Sequence, residues 1–271
     1  MSWDLEFITK EDYKKHVKFY FNKIHSLIQP SSVEEFNKNI IDPIKLTFTY
    51  FLTGQDISEL VSAEQRRQID KSMNNDIGYF HQNIFKYING WHVPAEGFDI
   101  VKDDYSVYVE LKNKHNTMNS SSSQKTYINM QNKIIESLEK NEEVTCMLVE
   151  VIAKKSQNIS WEVTIDKEKK SSKHIRRVSI DKFYEFATGD KNAFQKLVSW
   201  LPITLKEIAI EEHKDAEEQE IIKELTKEKS FFLNLYNLAF ENYEGFNSFK
   251  FVEDEKLGQD FKEKTEGKIV Y

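Results

Sequence analysis

The chain has 271 residues, a single cysteine and a formal net charge of −7. That length supports one large domain or two modest ones with a real core, and the lone Cys146 excludes an intramolecular disulfide. No apolar run reaches the length of a membrane span, and the opening MSWDLEFITKEDYKK lacks the basic-then-hydrophobic pattern of a signal peptide, so a cytoplasmic protein without a membrane partner is expected.

The first third of the sequence predicts helices. Thr9 can cap a segment in which Tyr13, Val17, Phe21, Ile24 and Leu27 recur at helical spacing, and Pro30 ends it. Ser31 or Ser32 starts the next, with Glu34 and Glu35 in its first turn, an interruption near Pro43 and a resumption to Gly54; a third begins near Asp56 or Ser58. These read as packing elements without visible chemistry. From Asn74 to Asn89 the pattern puts Ile77, Phe80, His81, Ile84 and Ile88 on one side of a helix and Asp76, Gln82 and Asn83 on others. His81 on the apolar face reads as a hydrogen-bonded core histidine rather than a ligand. Trp91 to Pro94 forms the loop into a β-hairpin.

The stretch EGFDIVKDDYSVYVELKNKHNTMN carries the chemistry. From Tyr105 to Lys112 the period is that of a strand, with Tyr105, Val107, Val109 and Leu111 on a core face and Ser106, Tyr108, Glu110 and Lys112 on the other. Phe98 and Ile100 share one face of a preceding strand, Asp99 takes the opposite face, and Lys102, Asp103 and Asp104 supply the turn. The hairpin therefore brings Asp99 towards Glu110 and Lys112. Two carboxylates from adjacent strands make a hard oxygen site suited to Mg2+, and an amine beside them can orient or deprotonate an attacking water or stabilise charge on phosphorus. Taken alone, the same residues also fit a surface hairpin whose Glu and Lys pair across solvent.

Beyond the hairpin, Ser120 to Ser123 lead into a helix with Ile128, Gln131, Ile135 and Leu138 on one stripe. Lys114, His115, Asn116, Thr117, Asn119 and Lys125 would lie just past the catalytic strand, where hydroxyls, amides and amines can hold DNA phosphates; a polar surface loop is the alternative. Val144 to Ile152 reads as a central strand with a buried Cys146, Trp161, Val163 and Ile165 alternate, and Ile175 to Ile180 forms another strand before a helix capped by Asp181. Asp190 opens a short helix ending near Pro202, and from Ile203 the chain reads as a long charged helical region, turning apolar after Lys229. Between Ala153 and Arg177 there are eight Lys or Arg against three acids, and between Lys206 and Lys229 five against nine, so acidity is partly segregated into the C-terminal part; a basic run of this kind fits a solvated loop as well as a phosphate track. No repeat, zinc-ligand spacing, phosphate-binding glycine loop or nucleophile elbow is present.

Asp99, ten intervening residues, then Glu110-Leu111-Lys112 resembles the PD-(D/E)xK signature of restriction-endonuclease-like nucleases, with Phe98 in place of the proline. The run from Val109 to Asn119, with Val178 to Asp181, Thr188 to Asp190, Ala193-Phe194 and Leu201-Pro202, is similar to type II restriction endonucleases of the branch that cuts interrupted palindromes of the GGNCC and GGWCC kind. The likeness spans roughly residues 60 to 205. It implies Asp99 and Glu110 as Mg2+ ligands, Lys112 as the residue assisting the attacking water, and an accessory active-site residue on the preceding helix, Gln82 first and Asp76 behind it. It also implies a homodimer on double-stranded DNA, in a host with a cognate methyltransferase. The expected fold is α/β, a mixed central sheet flanked by helices, in one nuclease domain over 1–271: a helical N-terminal segment over 1–73, a catalytic core over 74–202 and a helical extension over 203–271. Two other readings stay open, a structure-selective or repair nuclease on the same core and a non-catalytic DNA-binding or interaction protein.

Overall fold

The computed structural model describes residues 2–28, 42–54, 57–212 and 242–245. The predictions that fall on Pro30, Ser31, Ser32, Glu34, Glu35 and Asp56, and on the charged region beyond Glu212 apart from 242–245, lie outside the described residues. Helices α1 (Lys10–Ile28), α2 (Pro43–Thr53) and α3 (Ile57–Asn83) come first, and a 3-10 turn (Ile84–Tyr87) closes α3. Strands β1 (Trp91–His92), β2 (Ile100–Lys102) and β3 (Val107–Lys114) follow, then α4 (Ser120–Glu139), β4 (Thr145–Ile152), β5 (Asn158–Ile165), β6 (Glu168–Ser179), α5 (Ile180–Thr188) and α6 (Ala193–Glu212).

The helix ends follow their local chemistry. The Thr9 hydroxyl accepts from the Asp12 amide at 3.0 Å and caps α1. Asp42 accepts from the amides of Ile44 and Lys45 to cap α2, so Pro43 starts this helix, where its missing N–H costs nothing. Gly54 closes it with φ +66°, the left-handed geometry that a helix C-terminus of this type requires.

Six strands form one sheet in the order β1-β2-β3-β4-β6-β5. The β1-β2, β2-β3 and β5-β6 pairs are antiparallel, whereas β3-β4 and β4-β6 are parallel, which confirms the mixed α/β architecture. Parallel central strands need cover on both faces, and β4, with six consecutive buried residues, has it. On one face Val107, Val109, Leu111, Met147, Val149, Val151 and Val178 pack with side chains of α1, α3, α5 and α6, among them Tyr13, Val17, Phe80, Phe183 and Leu197. On the other, Val101, Tyr108, Cys146, Leu148, Trp161 and Ile175 pack with Tyr127 and Met130 of α4. Cys146 is a free buried thiol, pushed up to about 12 by burial.

Several sequence expectations are corrected. Trp91 and His92 are not loop: they pair antiparallel with Lys102 and Val101 as the edge strand β1. Tyr105 is no core residue: it is exposed with φ +59° in the turn before β3, because strand alternation begins only at Val107. Tyr108, assigned to the solvent face, is buried under α4. Phe98 precedes β2 and so escapes its alternation, packing on Tyr108 rather than beside Ile100. Ser179, not Asp181, is the residue at the N-cap position of α5; Asp181 sits inside the first turn and accepts from the Ser156 hydroxyl. Pro202 lies inside α6 instead of ending it. Burial of Leu197, Val198, Trp200 and Ile208 on both sides of it outweighs the single hydrogen bond that proline removes.

Candidate active site

The β2-β3 hairpin sets the site. Ile100 pairs with Val109 and Val101 with Tyr108, and the same register carried one step back puts Asp99 opposite Glu110 on the sheet face that bears Tyr108 and Leu148. Asp99 is fixed twice: its amide donates to Val109 O at 2.9 Å, and its Oδ2 accepts from the Leu111 amide at 2.7 Å. Glu110 and Lys112, two residues apart on β3, project side by side, and Lys112 Nζ lies 2.6 Å from Glu110 Oε1. Both stay partly open, with side chains 25% and 30% exposed, so a phosphate can reach them.

Electrostatics identifies what the pocket wants. The Asp99 carboxyl is held above its ordinary range, first by burial and then by the negative charge of Glu110; the Leu111 amide and Lys112 oppose that shift. Two carboxylates facing one ammonium leave an excess of negative charge among hard oxygen donors, which a divalent cation relieves. Among the described residues no set of three or more His, Cys, Asp or Glu side chains is arranged around a common metal position. Asp99 and Glu110 offer two hard carboxylates, a chemistry that suits Mg2+, an ion that keeps several waters and takes further oxygens from phosphate.

The accessory candidates separate. Gln82, one residue from the end of α3, donates from Nε2 to the Asp99 carbonyl at 3.1 Å and so braces the backbone of the site. Asp76 lies six residues earlier, about 9 Å along the helix, where it is buried against Lys23 of α1 at 2.5 Å. There it forms an ion pair that ties α3 to α1. His81 is half-buried and pushed down to about 4 by burial of its ring and by the charge of His16, but its Nδ1 has no hydrogen-bond partner among the described residues, contrary to the hydrogen-bonded histidine anticipated.

Of the six residues anticipated to meet DNA, Lys114, Asn116, Thr117, Asn119 and Lys125 are exposed and His115 is half-buried. Asn119 is the N-cap of α4, its Oδ1 accepting from the Ser122 amide at 2.8 Å. Thr117 donates its hydroxyl to Lys114 O at 2.8 Å, and the His115 amide donates to Ile152 O at 3.0 Å. These three shape the turn between β3 and α4, so their first task is local structure.

Sequence reasoning missed Glu150. It stands beside Lys112 in the parallel register of β3 and β4, is 2% exposed, and accepts from Arg177 Nε at 3.0 Å and Nη2 at 2.5 Å. The signal was present as the one charged residue inside the apolar run from Val144 to Ile152. An ionised side chain in a central strand is retained only with a partner, and that partner lies 27 residues away on β6.

The chain resembles known proteins over most of its length. The family described as Eco47II restriction endonuclease matches residues 5–210. The chain is 31% identical over 211 residues to the type II restriction enzyme Sau96I of Staphylococcus aureus, covering 74% of this chain and 79% of that one. It is 26% identical over 216 residues to the type II restriction enzyme Eco47II of Escherichia coli, covering 76% and 89%. The match takes in the sheet, the hairpin with Asp99, Glu110 and Lys112, and the helices around them, and the chain therefore belongs to the Eco47II restriction endonuclease family, a family of type II restriction enzymes.

Proposed function

We propose that this chain hydrolyses phosphodiester bonds of double-stranded DNA at a short palindromic G/C-rich site, with Mg2+ held by Asp99 and Glu110. The single observation that carries the reading is two carboxylates on adjacent strands, one made hard to ionise by burial and by the other, with an amine 2.6 Å from the second. When bound, Mg2+ supplies Lewis-acid stabilisation of phosphate charge and makes water a better nucleophile near neutral pH. The chain's own groups do the rest. Asp99, clamped by the Leu111 amide, and Glu110 hold their oxygens in place before substrate arrives. Lys112 keeps its ammonium at the same edge, where it orients the attacking water and balances the charge growing on the phosphoryl oxygens. Gln82 keeps the Asp99 backbone in position through its carbonyl.

A palindrome presents two equivalent scissile phosphates, so a homodimer with two-fold symmetry and one site per strand is the simplest matching assembly. Among the described residues α2 buries none of its own side chains and exposes Ile44, Phe48, Phe51 and Leu52, apolar surface of the kind that self-association covers. By resemblance the site is of the GGNCC or GGWCC kind, read in the major groove where G·C and C·G differ in donors and acceptors. Methylation of a cytosine there, by a cognate methyltransferase of the host, protects against cutting. Digesting unmethylated genomic DNA with Mg2+ and sequencing the ends tests all of this. One recurring palindrome supports the reading, and random ends refute site-specific cleavage.

A further inference from the structure

Outside the proposed metal site, the sheet face that carries Glu110 and Lys112 also holds the charged pair of Glu150 with Arg177. Register places it. Glu110 pairs with Leu148 and Leu148 with Arg177, so Asp99, Glu110, Leu148 and Arg177 form one row across β2, β3, β4 and β6 on one face. Lys112, Glu150 and Ser179 form the next row. Arg177 thus stands two strands from Glu110, about 10 Å across the sheet.

The pair is built unlike a purely structural one. Arg177 Nε and Nη2 both donate to the same oxygen, Glu150 Oε1, while Oε2 is buried with no partner among the described residues. Nη2 also reaches the carbonyl of His115 at 3.4 Å, tying the ends of β3, β4 and β6 together. A bridge serving stability alone gains most from matching both oxygens to both nitrogens. Here the guanidinium is turned so that Nη1 makes no hydrogen bond among the described residues, and its side chain is 33% exposed on the site face. Its neighbour Arg176 points to the opposite side of the strand and is bonded to Asn158 and Ser160, and Lys169 and Lys170 are paired with Glu162 and Glu168. Of the two adjacent arginines of β6, Arg177 is the one on the sheet face that carries Glu110.

We infer that Arg177 binds a DNA backbone phosphate beside the scissile one, and that buried Glu150 is the positioning residue that aims it. The inference rests on the nuclease reading of Asp99, Glu110 and Lys112 and extends it to a second anion site one strand beyond β4. A guanidinium held through Nε and Nη2 by Glu150 and the His115 carbonyl keeps both N–H groups of Nη1 in a fixed plane for phosphate oxygens, a preorganisation that a freely rotating ammonium lacks. Glu150 removes the rotational freedom that a long side chain would otherwise lose on binding.

The test uses a duplex taken from a fragment that the wild-type chain cleaves, with binding measured in Ca2+ across a range of salt concentrations. Each phosphate contact contributes about 0.9 to the slope of log affinity against log salt. Arg177→Gln, and Arg177→Gln combined with Glu150→Gln so that no buried charge is orphaned, should each make the slope shallower by about 0.9. Arg177→Lys should keep most of it. Glu150→Gln should leave the slope near wild type while weakening binding, since the arginine keeps its charge and loses its aim. A structural pair would shift unfolding temperature and leave the salt slope of the folded protein unchanged, and an unchanged slope in the double variant overturns the inference while the nuclease reading stands. A wild-type chain that neither binds nor cuts duplex DNA overturns both.

Discussion

The two faces of one sheet are built to opposite rules. On the face covered by α1, α3, α5 and α6, Val107, Val109, Leu111, Met147, Val149, Val151 and Val178 form a continuous apolar layer. On the face covered by α4, the same strands are apolar up to Tyr108, Leu148 and Ile175. Beyond those positions they carry Glu110, Lys112, Glu150 and Arg177. Since alternate residues of one strand supply both faces, each strand contributes at once to stability and to chemistry. The difference teaches where each property resides: substitutions on the first face should unfold the protein, whereas those on the polar half of the second should silence it and leave it folded.

The largest expected effect is on catalysis. Glu110→Ala and Asp99→Asn should each lower cleavage on the order of 10³-fold or more, the equivalent of the several kcal/mol that a Lewis-acid metal contributes. Asp99→Asn keeps an oxygen for the Leu111 amide and removes a carboxylate whose ionisation the fold disfavours, so its unfolding temperature without metal should equal or exceed wild type. The sign follows from the raised Asp99 pKa: stability is full below the unfolded pKa and is lost as pH rises through the folded one, above which the folded chain holds a carboxylate that the unfolded chain tolerates better. Cleavage by Glu110→Ala at a tenth of the wild-type rate would remove this residue from the metal site.

Met147→Ala tests the other face. It empties a buried position against the helical layer and should cost about 2–5 kcal/mol, read as a lower urea midpoint, with cleavage per folded molecule unchanged. Equal loss of stability from Lys112→Ala would erase the contrast between the faces.

A smaller loss is expected at Tyr243, whose hydroxyl donates to Val151 O at 2.7 Å and accepts from the Ala153 amide at 2.8 Å. Tyr243→Phe leaves a buried amide unpaired and should cost about 1–3 kcal/mol. Chemical denaturation measures it, and no change would mean that water replaces the hydroxyl.

The smallest effect is in pH. His16, whose Nε2–H donates to Phe80 O, and His81 are both held down to about 4, chiefly by burial, against 6.5 for the free side chain. Between pH 6.5 and 4 the unfolded chain takes up protons that the folded chain refuses, so stability falls as pH drops through that window. His81→Leu should flatten that fall by one proton's share, seen in urea midpoints at pH 7 and pH 5. An unaltered pH slope would show that His81 titrates freely in the folded state.

Local pattern determined much of this protein by itself. Thr9 as a cap, the apolar period of α1, the strand alternation from Val107 to Lys112 and the spacing of Asp99, Glu110 and Lys112 depend on neighbours within about a dozen residues, and the hairpin that joins the three is local too. The features that escaped the sequence rest on distant partners. Pro202 stays inside α6 because its flanks are buried, Asp76 is claimed by Lys23 of α1, and Tyr243 ties residues 242–245 to the end of β4. Glu150 was visible as a charge in an apolar run, yet its role waited on Arg177. That partner reaches it only because the parallel pairing of β4 with β6 brings residues 27 apart in sequence onto one face of the sheet.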